Sequence, residues 1–192
     1  MRKFSFGLLL SLVSIHAHAA LNIFACEPEW AALAQELGGD RIFVYSATTG
    51  MQDPHHIQPR PSLIAKTRNA NLLLCTGAGL EEGWLPQLLR QAANPDIQPG
   101  KPGYFEAAAA VNKLEIPVRL DRAEGDIHAA GNPHIQLDPR NIRQVADALL
   151  LRLVRIDPDN AGHYETRYKS FRERWSVAQA RWEKQAAPLR GA

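Results

Sequence analysis

The sequence has only two cysteines in 192 residues, and no Cys-x-x-Cys pair. It is therefore not a disulfide-dense scaffold, and the common thiolate metal site has no support. Neither the apolar run 6–13 nor any later stretch approaches the roughly 20 residues that a membrane-spanning helix needs. Charge is scarce in net terms, at +2, and no basic patch argues for nucleic acid. The metalloprotease pattern His-Glu-x-x-His is missing, as is the hydrolase pattern Gly-x-Ser-x-Gly. What remains is an ordinary globular composition, 45% apolar and 22% charged, long enough for one sizeable core or two small domains.

The first residues read as an export signal. Arg2 and Lys3 form a charged start, residues 6–13 an apolar stretch, and Ala17-His18-Ala19 a small-x-small cleavage site. The expected signal peptide is 1–19, cleaved to leave a periplasmic chain of near-neutral charge that begins near Ala20. A lipid anchor would need cysteine at the new N-terminus, and Cys26 lies too far on. Each cysteine ends an apolar run, residues 21–25 and 72–74. Two readings stay open: a disulfide between neighbouring parallel strands, or two small buried residues.

Strand and helix signals alternate. Residues 21–25, 42–45 and 72–75 read as strands, and residues 116–120 as a fourth. Pro28 opens a helix that Gly38-Gly39 closes, and Ser62 is placed to cap a helix reaching Asn69. Trp84, Leu85, Leu88 and Leu89 share one helical face over 84–92. Residues 94–103 and 121–131 read as loops, and residues 104–112 as a short alanine-rich helix. Asp138-Pro139 starts another helix, with Ile142, Val145, Leu149 and Leu153 on one side. This alternation predicts an α/β fold, a parallel sheet flanked by helices. One long helix should follow over 158–187. Its seam of Tyr164, Tyr168, Phe171, Trp175, Ala178 and Trp182 is a packing face for the chain's own core. A two-stranded coiled coil is the alternative, but it wants about 3–4 heptads.

Two stretches stand out as chemistry. Asp53-Pro54-His55-His56-Ile57-Gln58-Pro59-Arg60-Pro61 and Asn132-Pro133-His134-Ile135-Gln136-Leu137-Asp138-Pro139 both carry Pro-His followed by Ile-Gln. Proline stiffens these loops, so little entropy is lost when the imidazoles are held in one place. In parallel sheets ligands bind at the carboxyl ends of strands, where the first loop lies. Neutral imidazole is the commonest metal ligand. His55 and His134, each directly after proline, are the preferred ligands; His56 and His128 are accessory candidates. Asp53 and Asp138 are expected to shape the loop and cap the helix. The glycine-rich stretch 76–83 departs from the dinucleotide pattern and reads as a tight turn that lets backbone approach the cleft.

Together the two motifs, Asp-Pro-His-x-x-x-Pro-x-Pro and Pro-His-x-x-Leu-Asp-Pro, resemble those of the periplasmic zinc/manganese-binding proteins of ABC transporters. The resemblance covers essentially all of the mature chain. It implies two lobes joined by a long rigid helix, with the metal in the cleft between them. Residues 20–157 would be the N-terminal metal-binding lobe, 158–187 the inter-lobe helix, and 188–192 the start of a second lobe. The motif histidines carry over to His55 and His134. The family's remaining ligands come from the second lobe, so a fragment is expected. The implied role is binding Zn²⁺ or Mn²⁺ as a transported ligand, without catalysis and as a monomer when full length. The implied partner is an ABC permease in the inner membrane. A metal-dependent hydrolase and a stand-alone scavenger or metallochaperone are the competing readings.

Overall fold

The computed structural model describes residues 20–119 and 128–191. The expected signal peptide, Leu120 and the first part of the 121–131 loop lie outside the described residues. Four strands form one parallel sheet: β1 (Leu21–Ala25), β2 (Ile42–Ser46), β3 (Leu72–Cys75) and β4 (Tyr104–Glu106), in the order β2-β1-β3-β4. β1 and β3 are the inner pair, with Ile23 opposite Leu72 and Ala25 opposite Leu74. Every residue of β3 is buried, the continuous apolar pattern of a strand covered on both faces.

Alternate side chains feed two cores. Ile23, Ala25, Leu72 and Leu74 face α1 (Pro28–Gly38), α4 (Pro139–Ile156) and α5 (Ala161–Ala186), meeting Trp30, Leu37, Val145, Leu149, Leu153 and Tyr164. Phe24, Cys26, Leu73 and Cys75 face the other way. They meet Leu63 of α2 (Pro61–Arg68), Leu88 and Leu89 of α3 (Leu85–Ala92), and Trp84. Cys26 and Cys75 lie at the ends of adjacent strands on that second face and are joined in a disulfide, 4.8 Å apart at Cα.

Three expectations are corrected. Residues 104–106 are the fourth strand, not the start of an alanine helix. Tyr104 and Phe105 pair with Leu73 and Leu74, and only a short 3-10 turn, Ala107–Ala110, follows. Packing of aromatics at a sheet edge outweighs the local helix preference of alanine. Ile116 and Val118 are exposed loop residues, since Pro117 has no amide to give a strand ladder. Ser62 is not the cap of α2; Pro61 is its first residue and Arg60 stands at the cap position. Asp138 does cap α4, its carboxylate accepting from the Arg140 amide at 2.9 Å.

The long helix α5 runs for 26 residues, about 39 Å at 1.5 Å per residue. Tyr164 and Phe171 of its seam are buried in the first core, and Tyr168 and Trp175 pack against it. Its polar residues close the end of α1. Arg167 Nε donates to the Glu36 carbonyl at 2.9 Å, and the His163 ring bonds the Gly38 carbonyl at 2.9 Å. Those carbonyls have no partner within α1. No described helix is long and apolar enough to cross a membrane.

Leu149 is fully buried and Leu151, two residues on, is 71% exposed. Leu149→Ala should cost about 2–5 kcal/mol in chemical denaturation. Leu151→Ala should stay within about 0.5 kcal/mol. Equal costs would contradict this placement of α4.

Candidate metal centre

The loops that follow β2 and precede α4 are built alike. In each, an Asx side chain two residues before histidine accepts that histidine's amide. Asp53 Oδ1 takes the His55 N–H at 2.9 Å, and Asn132 Oδ1 takes the His134 N–H at 2.9 Å. Such Asx turns, with proline between, hold the backbone without help from a sheet ladder. Asp53 does more. Its carboxylate can only accept, so the His55 ring must donate Nδ1–H to it, at 2.7 Å. The His55 amide, and then its ring, hold the Asp53 carboxyl below its ordinary range. The ring is thereby committed to one tautomer, with the Nε2 lone pair free of its own proton.

That Nε2 faces the Nε2 of His128 at 3.2 Å. The two rings are stacked, with centroids 5.2 Å apart. His134 stands edge-on to His55 at 6.1 Å between centroids. His56 is exposed, 6.2 Å from His55. The structure therefore brings His55 and His128 together, while His134 and His56, both exposed, stand at nearly equal distances from His55. Of the four, His128 lies nearest to His55, although no proline precedes it. Two imidazole nitrogens on one tetrahedral zinc ion, each about 2.0–2.1 Å from the metal, would be ~3.3 Å apart. The His55–His128 spacing fits that figure.

The glycine-rich turn supports this cluster from below. A Cβ at Gly83 would come within 3.0 Å of the His55 carbonyl oxygen, and one at Gly79 within 3.2 Å of His128 Nδ1. Trp84 Nε1 donates to the Pro54 carbonyl at 2.8 Å, tying the histidine loop to the start of α3. Backbone thus approaches closely where the sequence has glycine. A cavity of about 330 Å³ opens beside the turn, lined by Gly77, Glu82, Tyr104, Glu106 and Ala129 among others. Among the described residues, the one group of three potential ligands with donor atoms all within 4.8 Å of one another is Cys26, Cys75 and Glu81, and it is not a metal site here because its sulfurs form the disulfide.

Sequence reasoning did not find Asn132 as the counterpart of Asp53, nor the buried carboxyls Glu27 and Glu81. The Asx-Pro-His echo was a readable signal for the first. Glu27, directly after Cys26 at a strand end, was a weaker one for the second.

Comparison with known proteins agrees with this architecture. The manganese ABC transporter substrate-binding lipoprotein ScaA of Streptococcus gordonii is 27% identical over 157 residues, covering 80% of this chain and 47% of that protein. The iron ABC transporter substrate-binding lipoprotein MtsA of Streptococcus pyogenes is 25% identical over 154 residues, 79% of this chain and 46% of that one. A zinc-bound crystal structure of a ZnuA deletion mutant superposes with a TM-score of 0.73 at 26% identity, over 88% of this chain and 59% of that one. The chain spans about half the length of the lipoprotein relatives it matches. Residues 23–191 match the family described as zinc-uptake complex component A, periplasmic, and the chain belongs to that family.

Proposed function

We propose that this chain binds a divalent transition metal outside the inner membrane and presents it to the permease of an ABC-type importer, without catalysis. The supporting observation is the 3.2 Å approach of His55 Nε2 to His128 Nε2, with the His134 ring edge-on to His55 at 6.1 Å between centroids. His55 and His134 are the principal ligands and His128 joins them; His56 stays accessory. Three neutral imidazoles would take three positions of a tetrahedral ion. An all-nitrogen donor set suits zinc better than manganese, which prefers oxygen. Metal is the cargo here, as it is for the manganese and iron lipoproteins named above. Their names describe substrate-binding transport components, which supports a carrier over an enzyme. On this reading residues 20–157 are the metal-binding lobe and 158–187 the inter-lobe helix. Export uses a signal peptide at 1–19 that is then cleaved, and the full-length protein is a monomer.

Calorimetry on the full chain should give zinc binding that is tighter than manganese binding. The His55→Ala, His134→Ala double variant should lose it, while His56→Ala should retain it. Unchanged zinc affinity in the double variant would reject this reading.

Asp53→Ala removes the partner that commits the His55 tautomer. Nitrogen-15 NMR of the metal-free chain should show His55 protonated at Nδ1 in the wild type and a tautomer mixture in the variant. Zinc affinity should fall by about 10–100-fold. An unaltered His55 spectrum in the variant would show that Asp53 does not set the ring.

A further inference from the structure

Beneath the imidazoles lies a buried pair of carboxyl groups that metal binding does not use. Glu27 follows β1 and Glu81 sits in the glycine-rich turn; they are 3% and 2% exposed. Both point at one amide. The Thr76 N–H lies 3.2 Å from Glu27 Oε2 and 2.7 Å from Glu81 Oε1. Glu27 Oε2 also accepts the Thr76 hydroxyl at 3.0 Å, and that hydroxyl oxygen accepts Trp30 Nε1–H at 2.7 Å. Glu81 Oε2 accepts the Gly77 N–H at 3.0 Å. Glu27 Oε1 is buried without a hydrogen-bond partner.

Among the described residues no ion pair reaches either carboxyl. On one side are the disulfide sulfurs, within 4.8 Å of Glu81. On α1 the nearby ionisable group is Glu29. On β4 it is Glu106, whose side chain lies against Gly77 and accepts the Tyr104 hydroxyl at 2.8 Å. Glu82, the remaining acid of the turn, follows Glu81 directly. Two buried like charges this close cannot both persist, so one group keeps its proton.

We propose that Glu27 and Glu81 share one proton, and that this pair is the latch that sets the glycine-rich turn beneath the imidazole cluster. Glu81 is the ionised member, because both its oxygens receive backbone N–H groups. Glu27 is the acid, and its proton goes to Glu81. Burial first, and then the charge of Glu81, push Glu27 up to about 10, while burial also raises Glu81. The turn so fixed carries Gly79 against His128 and Gly83 against His55. Both glutamates are thus positioning residues for the metal site, a role that rests on the function proposed above.

The linkage has a definite sign. A raised carboxyl takes up a proton on folding once the unfolded chain is ionised. Its contribution is complete below the ordinary carboxylate range and is lost as pH climbs toward about 10. Between those limits the folding constant should drop about tenfold per pH unit on this account.

Glu27→Gln supplies the neutral donor without titrating. Infrared spectra of the metal-free full chain at alkaline pH should show a protonated carboxyl band in the wild type and none in Glu27→Gln. The stability slope with pH should flatten by one proton in that variant. Glu81→Gln, which loses one of the two oxygens that accept the Thr76 and Gly77 amides, should weaken zinc affinity by at least about tenfold. A wild type without the band, or a Glu27→Gln chain with the wild-type slope, would overturn the shared proton. Unchanged zinc affinity in Glu81→Gln would overturn the positioning role. Because the band is read without metal, a wild type that fails to bind zinc would reject the proposed function and leave the proton pair standing.

Discussion

The pairing of β1 with β3 is the constraint on which the site depends. Parallel strands end at the same edge, so their following residues arrive side by side. Here that edge receives Cys26-Glu27 from one strand and Cys75-Thr76 from the other. The disulfide, the carboxyl pair and the glycine-rich turn all follow from that adjacency. A shift of register by one residue would send the cysteines to the opposite core and separate the carboxyls. The imidazoles stand one layer further out and inherit their positions from this base.

The histidine loops solve a different problem. Loop backbone has no ladder to hold it, and a metal needs ligand atoms placed to within a few tenths of an ångström. The chain meets this with local devices: an Asx turn, a proline and a histidine, used twice. Asp53 adds control of protonation, because one carboxylate oxygen accepts both the amide and the ring of His55. The burial of His55 is incomplete, at 19% exposure of its side chain, so its ring stays within reach of solvent.

Much of this was legible in the sequence. Proline at helix starts, the buried apolar β3 and the seam of α5 each have a short-range signature. Their outcomes match because the long-range structure asks for what the local pattern prefers. The failures have the opposite origin. Residues 104–106 are a strand only because the edge of β3 and the Arg152 guanidinium, bonded to the Tyr104 carbonyl at 2.6 Å, hold them there. The approach of His128 to His55 spans 73 positions and involves no motif. Whether two cysteines meet is a question of geometry that spacing leaves open. Glu27 and Glu81 look like surface residues in composition, and only the sheet edge buries them.

The shared proton also bears on cation binding. Two ionised carboxylates at the base of the turn would attract a cation strongly but would repel each other in a medium that screens little. Two neutral acids would leave the Thr76 and Gly77 amides with weaker acceptors. One charge for two groups keeps the turn bonded without that repulsion. Glu82 and Glu106, lining the adjacent cavity, extend the negative field toward the surface.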